Sequence, residues 1–142
     1  VQDHPLDARS TELQAEIYRY AAQLGARPLT VGMRTNDGLN IFVGEDGLYH
    51  FTFYERGKLG FDQAGSLDDL LFWYCQSIVS NDASYLSDRK ERFLYEYDLL
   101  SRLDPGWAKR RVRELAAKFR EWEPGVTQPE DLSLLPDIGE AL

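Results

Sequence analysis

YHFTFYERGKLGF, residues 49–61, places an apolar side chain at every second position, Tyr49, Phe51, Phe53, Leu59 and Phe61, on either side of the break ERGK at 55–58. Strict alternation is the mark of a strand with one face on a core, and Gly57 supplies the positive φ that a tight hairpin needs. The same period runs backwards through Leu39, Ile41 and Val43 and through Leu29, Val31 and Met33, with turn chemistry at NDG (36–38) and GEDG (44–47). These four runs predict a four-stranded antiparallel meander whose odd-numbered face is apolar. Its glycines fall in separate turns, so they do not form the clustered strand-to-helix loop that cradles phosphate.

On either side of the meander the period becomes helical. Upstream, Ser10 or Thr11 predicts the cap of a helix of roughly 14 residues carrying Leu13, Ile17, Tyr20 or Ala21, and Leu24, stopped by Gly25 and Pro28. Downstream, GSLDDLLFWYCQ (65–76) opens with Ser66 as N-cap and Asp69 three residues on, a capping box with Asp in place of Glu. Leu67, Leu70, Leu71, Tyr74 and Ile78 form the stripe that would cover the sheet. Phe72 and Trp73 lie beside it and are expected in the core, against a second layer. That layer is an antiparallel pair: a third helix from about Ala83 to Arg102, then a fourth capped by Asp104 with Pro105 at its first position, carrying Trp107, Arg111, Leu115, Phe119 and Trp122. The expected fold is α+β, a single domain over 1–142, with three helices packed on and beside the sheet and an acidic C-terminal arm at 123–142, docked or loose. The recurrent Leu132, Leu134, Leu135, Ile138 and Leu142 favour docking.

The chain has 142 residues and a formal charge of −8. Residues 81–122 carry 10 basic and 8 acidic side chains, whereas residues 123–142 carry 0 and 5. Such a balance disfavours a nucleic-acid binder, whose affinity comes from Lys and Arg on phosphates, and favours a basic partner. The one basic patch, Lys109, Arg110, Arg111 and Arg113, is the basis of the alternative reading as a nucleic-acid module. No apolar run approaches the roughly 20 residues of a membrane span, and VQDHPLDARS lacks a signal-peptide pattern, so a cytoplasmic protein is expected. One cysteine, Cys75, excludes an internal disulfide framework and reads as a buried thiol. Two histidines, His4 and His50, without an HExxH pair, and no GxSxG elbow, give neither a metal site nor a serine triad. Neither enzyme activity nor a cofactor is expected.

From YHFTFYERGKL through SLDDLLFWYCQSIVSNDASYL to RKERFLYEYDLLSRLDPGWAKRR, about residues 48 to 113, the chain resembles immunity protein family 63 of bacterial polymorphic toxin systems. The resemblance rests on Tyr54 to Gly57, on the helix start Asp68, Asp69, Leu70, Leu71, Phe72, Trp73 and Tyr74, and on Leu99, Leu100, Leu103, Trp107 and Arg111. It implies a small protein that binds and neutralises a cognate toxin, and no catalytic residues. Acids that local structure does not already employ are the candidate toxin-binding residues: Asp46, Glu55, Asp62 and Asp82, with Tyr85 as aromatic anchor and Asp68, already in a capping turn, as a weaker member.

Overall fold

The computed structural model describes residues 5–126 and 128–142, and His4 lies outside the described residues. The chain forms two compact units, Val1–Cys75 and Gln76–Leu142. The first holds α1 (Pro5–Leu24), β1 (Gly38–Val43), β2 (Tyr49–Glu55), β3 (Lys58–Gly65) and the first half of α2 (Leu67–Ala83); the second holds the rest of α2, α3 (Arg89–Leu103), α4 (Pro105–Phe119) and a single 3-10 turn at Leu132–Leu134.

α1 is longer than the Ser10–Thr11 cap predicts. Pro5 stands at its first position, where proline costs no hydrogen bond and presets φ, so the helix starts ahead of the serine and threonine. Its stop is as read: Gly25 has φ 64° and the Ala26 N–H closes back on the Ala21 carbonyl at 2.9 Å. Leu13, Ile17, Tyr20 and Ala21 are buried.

The sheet is an antiparallel meander of three strands in the order β1-β2-β3, not four. Leu29–Met33 does not pair as a strand. Two side-chain amides take up backbone groups that a ladder would otherwise hold. Gln14 of α1 accepts from Val31 N–H at 2.8 Å and donates to the Leu29 carbonyl at 3.0 Å. Asn40 of β1 accepts from Thr35 N–H at 2.8 Å and donates to the Thr35 carbonyl at 3.2 Å. Between them the chain turns at Gly32, whose φ of 84° leaves the strand region and whose N–H donates to the Ile41 carbonyl.

β2 and β3 meet in a two-residue turn in which Arg56 (φ 51°) and Gly57 (φ 77°) both take the left-handed conformation. Glu55 and Lys58 close it. The NDG turn holds this tip, since Asp37 accepts from Arg56 N–H at 2.8 Å and the Asn36 carbonyl from Gly57 N–H at 2.9 Å. One residue further on the register slips: Tyr54 pairs with Leu59 and Phe53 with Phe61, leaving Gly60 as a bulge. A Cβ on Gly60 would lie 2.9 Å from the Phe53 ring. The bulge moves Leu59 off the odd-numbered face, where strict alternation puts it, to the face of Tyr54. On the odd face Ile41, Tyr49 and Phe51 are buried, while Phe61 stacks on Phe53, meets Phe51 at a tilt and stays partly open.

α2 begins with the expected capping box: Asp69 N–H donates to Ser66 Oγ at 3.1 Å and Ser66 N–H to Asp69 Oδ2 at 3.0 Å. Its buried arc is wider than one stripe, taking in Leu70, Leu71, Phe72, Tyr74 and Cys75. Trp73 falls outside that arc and is only part-buried, contrary to its expected core position, because its 100° step from Phe72 carries it off the buried side. Burial pushes the Cys75 thiol up to about 12, so it is inert packing.

In the second unit α3 starts at Arg89, not near Ala83. Asp88 caps it, and Arg92 ties the connection by donating to the Leu86 and Ser87 carbonyls. Asp104 alone joins α3 to α4, accepting from Gly106 and Trp107 N–H. The pairs Glu96–Arg111 and Phe93–Phe119, successively further from that joint, make the helices antiparallel. α4 ends at Phe119, and Trp122 is exposed rather than part of the stripe, which runs through Trp107, Ala108, Val112, Ala116 and Phe119. The arm docks here: Leu135 and Ile138 are buried on Val112, Ala116 and Phe119.

Candidate functional site

Four of the five acidic candidates belong to the first unit, and the fold brings two of them together. The β1–β2 connection is closed by Gly44 N–H on the Leu48 carbonyl and by Leu48 N–H on Asp46 Oδ1, which turns the Asp46 carboxylate back toward β2. His50, the second residue of β2, lies on the even-numbered face. Its Nε2 is 2.9 Å from Asp46 Oδ2, and its Nδ1 is 3.0 Å from Asp62 Oδ1 on β3. One imidazole therefore bridges a turn acid and an edge-strand acid.

The bridge is clamped from two other sides. Phe42 of β1 lies face to face with the imidazole, ring centroids 4.8 Å apart and planes 3° from parallel. Arg34, carried by the segment that replaces the fourth strand, sits 4.2 Å over the Phe42 ring. Gly44 is the close approach that makes room: a Cβ there would stand 2.5 Å from Asp46 Oδ1 and 2.7 Å from His50 Nε2. These residues, with Glu45, line an open concavity of about 680 Å³. The imidazole is mostly covered, at 12% side-chain exposure, while the carboxylates of Asp46 and Asp62 remain 48% and 42% exposed. The site thus presents fixed, accessible negative charge on a rigid backing.

Its electrostatics follow from the contacts. Burial works against protonation of His50, but its hydrogen bonds to the Asp62 and Asp46 carboxylates outweigh it and raise the imidazole above its ordinary value of 6.5. The Asp46 carboxyl is held below the usual carboxylate range, first by the Leu48 N–H and then by His50. Because the folded value of His50 is raised, its stabilising contribution is full below pH 6.5 and is lost as pH climbs through the folded value. That of Asp46 has the opposite sense, present above the ordinary aspartate value and lost on acidification. An NMR titration should find His50 above 6.5 in the native protein, and Asp46→Asn with Asp62→Asn should bring it below 6.5, since burial alone then remains. A value unchanged in the double variant would contradict this account of the bridge.

The other candidates lie elsewhere. Glu55 is exposed at the far end of β2, beside a second concavity of about 380 Å³ lined by Arg56, Lys58, Leu59 and Gly60. Asp68 is exposed in the first turn of α2. Asp82, part-buried in the last turn of α2, and Tyr85, 87% exposed in the connection to α3, belong to the second unit. Sequence reasoning missed His50, Phe42 and Arg34. His50 was weighed only as a metal ligand or triad base, although the signal was available: it stands four residues after Asp46 across a turn, and hairpin register sets it diagonal to Asp62.

In the second unit the basic patch is largely paired within the molecule. Arg113 bonds Glu140 of the arm at 2.5 Å, Arg111 bonds the buried Glu96, Arg110 bonds Glu114, and Arg89 bonds Glu130 of the arm. Arg113 in turn holds the Glu140 carboxyl low. Among the described residues no group of three or more His, Cys, Asp or Glu is placed to hold a metal ion, and no helix is long and apolar enough to cross a membrane.

No curated protein and no solved structure matches the chain. The family model described as Immunity protein 63 matches residues 45–117, which runs from the turn carrying Asp46 through β2, β3, α2 and α3 into α4, and covers just over half of the chain. With that span including both the Asp46–His50–Asp62 bridge and the antiparallel helix pair, the chain belongs to the immunity protein 63 family.

Proposed function

We propose that this protein binds a cognate bacterial toxin in the cytoplasm and neutralises it, acting as an inhibitor rather than as an enzyme. The observation that carries the reading, given the family, is the pair of accessible carboxylates of Asp46 and Asp62 held in place by one imidazole. Fixed charge of one sign on a rigid backing is what steers a partner of the other sign and fixes its orientation on arrival. The partner is therefore basic. Enzymes that act on nucleic acids or nucleotide cofactors need cationic surfaces for their phosphates, which makes an intracellular toxin of that class the best complement to a chain of net charge −8. Glu55, Asp68, Asp82 and Tyr85 are proposed as outlying contacts.

The alternative, a nucleic-acid module built on Lys109 to Arg113, is disfavoured by the pairing of Arg110, Arg111 and Arg113 with acids of the same chain. The reading is tested by association kinetics. Asp46→Asn with Asp62→Asn should slow association with the purified toxin by about tenfold at low salt and flatten its salt dependence, with the circular dichroism spectrum unchanged. Association at the original rate in the folded double variant would place the interface elsewhere.

A further inference from the structure

Among the described residues no strand pairs with β3 on its outer side. The two edges of the sheet are treated differently by the fold: along β1 the Ile41 carbonyl accepts from Gly32 N–H, and Asn40 and Ile41 are buried, whereas on β3 every residue from Lys58 to Ala64 is exposed. In an antiparallel ladder alternate residues point their N–H and C=O away from the partner strand, so an uncovered edge of this length is a template for another strand. Lys58 and the Gly60 bulge protect the end close to the turn, and Asp62 is the one charged side chain along the rest of the edge. From Phe61 to Gly65 the edge is regular.

The side chains beside that edge state what fits it. On one face Phe61 is 38% exposed while its ring contacts Phe51 and Phe53. On the other, Asp62 is 42% exposed and stands with Asp46 at the concavity. A strand laid along β3 would have side chains about 5 Å from each, one apolar and one facing carboxylate. A second copy of this chain is a poor occupant, since antiparallel pairing through the same edge sets Asp62 near its own counterpart and brings together two chains of charge −8.

We infer that the free edge of β3 accepts an extended segment of the toxin as a fourth strand, with an apolar residue over Phe61 and a Lys or Arg toward Asp62. Main-chain bonds supply the grip and these two positions the selectivity. The inference rests on the toxin-binding reading above and specifies its geometry. Amide hydrogen exchange of the full chain, free and with the purified product of the neighbouring open reading frame, tests both. In the complex, the amides of residues 59–64 that do not bond β2 should exchange at least tenfold more slowly than in the free chain, and Asp62→Lys should weaken the complex while the free variant stays folded. A stable complex with exchange at residues 59–64 unchanged would overturn the strand-addition inference while leaving neutralisation intact. Failure of any complex to form would overturn the functional reading and this inference with it. If the free chain is a dimer with those amides already protected, the edge belongs to a second copy and the inference fails.

Discussion

Phe72→Ala should cost about 3 to 5 kcal/mol of unfolding free energy in urea denaturation. Phe72 is 1% exposed although it sits outside the stripe of Leu67, Leu70, Leu71, Tyr74 and Ile78. Removing its ring leaves a cavity in a helix buried from several directions, and such cavities do not collapse. Trp73→Ala is the internal control. The larger side chain lies on the less covered side, so its truncation should cost clearly less than that of Phe72. Equal losses would show that the helix is buried all round, and a loss below about 1 kcal/mol for Phe72→Ala would remove it from the core.

Glu96→Ala should cost about 3 kcal/mol by thermal or chemical unfolding, with little dependence on salt. Glu96 Oε1 accepts from Ser80 Oγ at 2.5 Å and from Arg111 Nε at 3.3 Å, and Ser80 Oγ in turn accepts from Gln76 at 2.6 Å. At 6% side-chain exposure the carboxylate is shielded, and its loss strands a guanidinium that is itself only 24% exposed. Glu96→Gln keeps an acceptor for Ser80 and removes only the charge, so it should cost less. A Glu96→Ala protein as stable as the parent would show that the network is solvated.

The elements most legible in the sequence were those set by short-range chemistry. Ser66 with Asp69, Asp104 with Pro105, and Gly25 behaved as caps and stops because each acts on backbone groups within a few residues. The class, α+β with an antiparallel meander, followed from periodicity. What failed depended on partners distant in sequence. Leu29 to Met33 alternates like a strand, but Gln14 takes the Leu29 carbonyl and the Val31 N–H instead, and no local pattern reports which backbone groups a remote amide will take. Leu59 alternates with Phe61, yet a bulge at Gly60 flips it. Arg111, read as part of the helix stripe and of the basic patch, turns out to bond the buried Glu96, a partner fifteen residues away that no local pattern reports. Of the candidate site, Asp46 and Asp62 were chosen as turn and strand acids. That His50 joins them was readable only once the hairpin register was known.

The most direct measurement is survival of bacteria expressing the product of the neighbouring open reading frame, with and without this chain. Neutralisation predicts that the toxin alone stops growth and that co-expression restores it through a complex that can be isolated. A harmless neighbour, or a toxic one whose effect this chain does not relieve, would contradict the account.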